Sequence, residues 1–218
     1  MLFSWLGISS EAFAAEDAGK TEGKRIVVLG DSYVRNHRRP WSESWHSKAA
    51  EKLGMYYLNF GRNGSSIAFD RTKDGFGPAM TERYLTMPRE ADYILLIAGH
   101  NDADMVGKDG AKMEAFKGAL ERLLSGLRER YPKAKIGYVL PWHVKRPGFE
   151  EVVAEIIECC GKYSIPVFDP GKECGINVND AEFRAKYFQN KGVNDTAHLN
   201  ADGHALIVDK GIAFIRSL

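Results

Sequence analysis

Long apolar runs are missing from this chain. After its first residues no segment reaches eighteen consecutive apolar positions, so no bilayer-spanning helix is expected. An excess of either charge is missing too. The 30 Lys and Arg stand against 29 Asp and Glu, for a formal net charge of +1. Such a balance offers no field for a phosphate backbone or an anionic membrane surface, so no nucleic-acid partner is expected. Cysteine is scarce: Cys159, Cys160 and Cys174 are an odd number without zinc-ligand spacing, so no metal site is expected. They allow one disulfide, Cys174 with one of the adjacent pair, or else three thiols. Two phosphate signatures are also absent. No Gly-x-Gly-x-x-Gly follows the first predicted strand and no Walker loop occurs, which argues against a nucleotide-binding domain.

What is present suffices for one well-buried domain: 218 residues, 44% of them hydrophobic, with no break in composition that would mark a second. At the N-terminus Leu2, Phe3, Trp5, Leu6 and Ile8 form a short apolar stretch. Ala12-Phe13-Ala14 follows in the small-x-small form of a signal-peptidase site, but no Lys or Arg precedes it. Residues 1–24 therefore read either as an incomplete leader, which would make the protein secreted or periplasmic, or as a disordered tail, which would leave it cytoplasmic. The domain proper is expected over residues 25–218.

From Arg25 onward, short β-branched runs alternate with segments of helical period, the pattern of a parallel sheet covered by helices on both faces. Strands are predicted at Ile26 to Leu29, Met55 to Phe60, Tyr93 to Ala98, Ile136 to Leu140 and Pro166 to Phe168. Helices are predicted near Ser42 to Leu53, Ala111 to Arg130, Phe149 to Tyr163 and Ala201 to Ile215. Gly54 and Gly161 stand where left-handed helix caps are wanted, and Pro132 ends the long helix. Ser65 to Pro88, with Gly75, Gly77 and Pro78, reads as a long irregular connection. The fold class is α/β, a three-layer α/β/α arrangement on a flavodoxin-like, five-stranded parallel sheet.

Ligands of such sheets bind beyond the carboxyl ends of the strands, so the residues there carry the functional reading. After the first strand comes Gly30-Asp31-Ser32, and after the second Asn59-Phe60-Gly61-Arg62-Asn63-Gly64. Gly99-His100-Asn101-Asp102 follows the third, and Asp195-Thr196-Ala197-His198 precedes the last helix. Taken singly, each is ordinary turn or cap composition. Together, in order, the four blocks resemble the SGNH hydrolases, also called the GDSL esterase and lipase family, over nearly everything from Arg25 to Leu218. The resemblance implies Ser32 as nucleophile, His198 as base and Asp195 as its acid. It implies Gly64, with Gly61 as competitor, and Asn101 in an oxyanion hole. It implies no cofactor and a small-molecule or carbohydrate ester as substrate.

The residue types fit that chemistry on their own. A serine hydroxyl needs a neutral imidazole to take its proton, and a carboxylate three residues earlier can hold the imidazole's tautomer. Among the other histidines, His37 and His46 are expected to be exposed and His204 to pack or face solvent. His143, after the fourth strand, is the rival base or a pocket-lining residue. His100, where that family more often has a small residue, is expected to narrow the pocket or touch substrate. Asp31 and Asp102 read as supports for the turns that carry Ser32 and Asn101. Trp41, Trp45, Phe69, Phe76 and Trp142 would line an apolar acyl pocket, offer sugar-stacking platforms or serve as core and loop anchors. The expected activity is a serine esterase acting through an acyl-enzyme, a carbohydrate O-acetylesterase first. The alternatives are a lipase or thioesterase and an inert glycan-binding module.

Overall fold

The computed structural model describes residues 21–218. The apolar stretch and cleavage-site pattern read near the N-terminus lie outside that range. Five strands form one parallel sheet in the order β2-β1-β3-β4-β5: β1 (Arg25–Gly30), β2 (Tyr56–Gly61), β3 (Tyr93–Ile97), β4 (Lys135–Val139) and β5 (Val167–Phe168). The middle of the sheet is aliphatic because both of its faces are covered. Ile26 to Leu29 and Ile94 to Leu96 have no exposed surface, whereas the edge strand β2 is half-buried.

Nine α-helices follow the strands among the described residues: α1 (Ser32–Arg35), α2 (Trp45–Lys52), α3 (Met80–Arg83), α4 (His100–Lys108), α5 (Lys112–Arg130), α6 (Phe149–Lys162), α7 (Pro170–Glu173), α8 (Ala181–Tyr187) and α9 (Ala201–Ser217). Helix α9 packs on α2, closely enough that a Cβ at Gly211 would fall 2.5 Å from the Trp45 ring. Helices α4, α5 and α6 pack on one another. Right-handed crossovers running outward from β1 in both directions put these groups on opposite faces of the sheet. The chain reverses direction between β1 and β3, so the loops after those two strands diverge and leave a crevice at their carboxyl ends.

The predicted strands and helices agree with the structure to within a few residues, but α7 and α8 have no counterpart among them and three readings differ. The block after β3 is the first turn of α4 and not a free turn, and Asp102 lies inside that helix. The segment Ser65 to Pro88 contains α3 and two short 3₁₀ turns, Thr72–Asp74 and Tyr84–Thr86. Gly161 lies within α6, and the left-handed residue after it is Ser164, at φ 51°. Gly54 takes the left-handed conformation its position suggests, at φ 65°. Hydrogen bonds from Thr21 Oγ1 to Leu53 O (3.1 Å) and from Gly23 N to Gly54 O (2.8 Å) bring residues ahead of Arg25 into the packed fold. No helix among the described residues is long and apolar enough to cross a membrane. All three cysteines are thiols, and burial pushes each well up, Cys160 to about 12.

Candidate active site

Ser32 is the first residue of α1, reached by a turn that Asp31 caps by accepting the Tyr33 N–H at 2.9 Å. Its hydroxyl lies 2.8 Å from His198 Nε2, across a sequence separation of 166 residues. The other ring nitrogen of His198, Nδ1, is 2.8 and 2.9 Å from the two carboxylate oxygens of Asp195. With Nδ1–H donating to the carboxylate, Nε2 is left bare to accept the serine proton. Asp195 Oδ1 also accepts the N–H groups of Ala197 and His198, each at 3.0 Å, which closes the short loop into one fixed shape. Burial works against the Asp195 charge, but His198 and these N–H donors outweigh it and hold the carboxyl at about 2. Such a chain of groups can move a proton from hydroxyl to imidazole while the charge that forms stays compensated.

The remaining candidate residues lie at or beyond the carboxyl ends of the first three strands. The N–H groups of Ser32 and Gly64 donate to no acceptor among the described residues. Gly64 sits at φ 70°, and a Cβ there would fall 2.1 Å from the Phe76 ring, so both conformation and space require glycine. Gly61 is different. It ends β2 with its N–H committed to Asn59 Oδ1 at 2.9 Å, and it is small because the backbone of Arg35 lies against it. The Asn101 amide donates to Ser65 O at 3.0 Å and, at a longer 3.3 Å, to Asp31 Oδ2. Asp102 does not support the Asn101 turn. Its buried carboxylate accepts the Ser66 hydroxyl at 2.5 Å and the N–H groups of Ile67 and Ala68 at 3.0 Å, so it anchors the loop that follows Gly64.

Other residues lie where the sequence did not suggest. His37, half-buried, stacks its ring on His198 with centroids 4.3 Å apart and planes 17° from parallel. Two successive left-handed residues, Asn36 and His37, make that possible. His46 is fully buried, between Tyr57 Oη at 2.8 Å and Tyr33 O at 3.4 Å, and it is neutral because burial lowers it to about 4. His204 is buried and accepts Trp45 N–H at 3.3 Å while holding Asn36 Oδ1 at 3.1 Å. His143 is exposed and paired with Glu150 at 2.9 Å, and it makes no contact with Ser32. His100 is buried, with Nδ1 3.0 Å from Tyr33 Oη.

Of the five aromatics, two take the core reading. Trp45 and Trp142 are each 1% exposed and belong to the core. Trp142 stacks on Tyr33 at 4.1 Å, and its Nε1–H donates to Ala197 O at 2.8 Å, tying the His198 loop to the end of β4. Trp41, 45% exposed, stacks on Tyr57, and Phe76 lies against Gly64. One functional support had no signal in sequence: Arg83, on α3, donates to Gly30 O at 3.2 Å, to Ser65 Oγ at 2.8 Å and to Phe60 O. It thereby fastens the carboxyl ends of β1 and β2 to the Gly64 loop.

The residues able to hold a cation are the same ones. Ligand atoms of His37, Asp195 and His198 lie within 4.8 Å of one another. Both nitrogens of His198 are already hydrogen-bonded, so an ion there would have to break the link to Ser32 or to Asp195.

No curated protein matches the sequence. Solved structures do. A Lactobacillus plantarum protein is 26% identical over 90% of this chain and 98% of its own, with a TM-score of 0.75. A protein assigned as a GDSL-like lipase from Bacteroides ovatus is 16% identical, covering 91% and 100% of the two chains, with a TM-score of 0.63. A family two carbohydrate esterase from Clostridium thermocellum, in complex with cellohexaose, is 15% identical over 90% of this chain and 65% of that one, with a TM-score of 0.65. The sequence model of the GDSL-like lipase/acylhydrolase family matches residues 28–206, which take in all four blocks at the carboxyl edge of the sheet. The chain therefore belongs to the GDSL-like lipase/acylhydrolase family, a family of ester-hydrolysing enzymes.

Proposed function

We propose that this hydrolase is a serine esterase in which Ser32 attacks the ester carbonyl, His198 takes its proton and Asp195 steadies the imidazolium that forms. The reading rests above all on the unbroken relay from Ser32 Oγ to His198 Nε2 (2.8 Å) and from His198 Nδ1 to Asp195 (2.8 Å). Collapse of the tetrahedral intermediate expels the alkoxide, which takes the proton from His198, and an acyl group remains on Ser32 Oγ. Water then repeats the sequence and releases the acid. The negative charge of each intermediate would be held by the N–H groups of Ser32 and Gly64 and by the Asn101 amide, whose 3.3 Å contact to Asp31 is long enough to yield. Residues 25–218 form the catalytic domain in this reading.

The acyl group is short and the alcohol a carbohydrate. Two of the five aromatics that would line a fatty-acyl pocket are locked in the core, and cations line the cleft beside the site. The carbohydrate esterase of the same fold was solved with cellohexaose. The deciding experiment measures kcat/KM for acetyl, butyryl and octanoyl aryl esters and for an acetylated xylan. The acetyl substrates should lead, and Ser32→Ala should lower turnover by about 10⁴-fold or more with an unchanged circular dichroism spectrum. A preference for octanoyl would favour a lipase, and no turnover of any ester would mark an inert binder.

A further inference from the structure

Next to the relay lies a second cleft of about 390 Å³, whose wall includes His100, Lys145, Arg146, Arg184, Thr196 and Ala197. It adjoins the site on two sides, because Ala197 precedes His198 and His100 precedes Asn101. Three of its lining residues are cations, and no carboxylate lines it. In a chain whose charges balance, three cations around one cleft without an acid are a local excess. Neither Lys145 nor Arg146 makes a side-chain hydrogen bond or ion pair among the described residues, and Arg184 uses Nη1 on Val178 O at 2.6 Å. The acids that could have neutralised them are committed elsewhere. Asp104 holds Lys108 at 2.7 Å, and Asp195 holds His198.

Resting on the esterase reading above, we infer that the substrate carries a carboxylate, bound in this cleft by Arg146 with support from Lys145 and Arg184. A guanidinium presents two parallel N–H donors that match a carboxylate, and an uncommitted one beside the reacting centre has already been partly stripped of water by its half-buried position. The carboxylate would hold the ester in register with Ser32 and would raise the encounter rate by its attraction to the cleft. The Val144 and Val178 walls between these cations are apolar and complete a slot for the carbon chain that bears the charge.

Two pairs of esters matched in size test this. Aryl hemisuccinate against aryl butyrate places the charge on the acyl side, and acetylated galacturonate against acetylated galactose places it on the alcohol side. In at least one pair the anionic member should have a kcat/KM on the order of tenfold above the neutral one. That ratio should fall toward unity in Arg146→Gln, recover in part in Arg146→Lys, and shrink in the wild-type enzyme as salt is raised to about 1 M. The salt series needs no variant to fold. Equal or faster turnover of both neutral members, or an anionic preference that Arg146→Gln leaves intact, would overturn the carboxylate site while leaving the esterase standing. Failure to cleave any of the four would instead overturn the esterase reading and this one with it.

Discussion

A carboxyl group stands directly before Ser32 with no solvent around it. Burial raises Asp31 to about 7, against the N–H of Tyr33 and the positive field of Arg83 and Arg146. The folded chain therefore holds this proton more tightly than the unfolded chain, whose carboxyl titrates at 3.8. Between those values the native state binds the extra proton, so stability falls as pH rises, by about 1.4 kcal/mol per pH unit for one proton. Asp31→Asn, which keeps the cap on Tyr33 N–H, should remove that slope. Urea midpoints of the two proteins at pH 5, 6, 7 and 8 should converge in acid and separate in favour of the variant in base. Parallel curves would show that Asp31 is ionised throughout. At this scale the blocks that carry Ser32, Asp195, His198, Asn101 and Gly64 were legible in sequence as an ordered set, each alone being ordinary turn or cap composition. Arg83 and His37 were not. Their partners come from other elements, and no spacing along the chain marks a guanidinium that reaches Gly30 and Phe60 or a ring that lies flat on His198.

Among the elements, the loop that carries His198 has no regular structure of its own and borrows rigidity from its neighbours. Asp195 folds it from inside, and Trp142 at the end of β4 fastens it from below through Nε1–H to Ala197 O. Trp142→Phe would keep an aromatic face against Tyr33 but leave that buried carbonyl without its donor. The expected cost is about 1–3 kcal/mol of stability. Displacement of His198 should also lower kcat by about tenfold with KM little changed, because the loss falls on geometry and not on binding. Thermal melts and steady-state kinetics on the same preparation check both. The strand-helix alternation read correctly because buried parallel strands must be continuous aliphatic runs. Helix α4 was missed because its first turn is Gly-His-Asn-Asp, residues that favour turns in isolation. It is helical because Ala103 and Val106 pack into the core and Asp102 is held by the Gly64 loop.

For the molecule as a whole, histidine decides behaviour in acid. His46, His100 and His204 are all lowered by burial, to about 4, 3 and 3, against 6.5 in the unfolded chain. Between 6.5 and those values the unfolded state binds up to three more protons than the native state. Stability therefore drops steeply as pH falls below 6.5, the opposite sign to Asp31 and about three times its slope. The histidine slope outweighs that of Asp31 until both fade near pH 7, above which neither kind of group carries its proton in either state. Urea midpoints measured from pH 4 to 9 should therefore rise steeply to about pH 7 and level off beyond it. A midpoint that stays flat or falls between pH 5 and 7 would mean that His46, His100 and His204 keep their protons inside the fold.

The sequence separation of 166 between Ser32 and His198 also sets an order of events during synthesis. A ribosome delivers the hydroxyl with the first strand, completes all five strands by Phe168, and only then extrudes the imidazole and the helix that docks behind it. A chain stopped after Phe168 can own a finished sheet and still lack the proposed base, so on that reading ester cleavage waits for residue 198 and the helix that docks behind it.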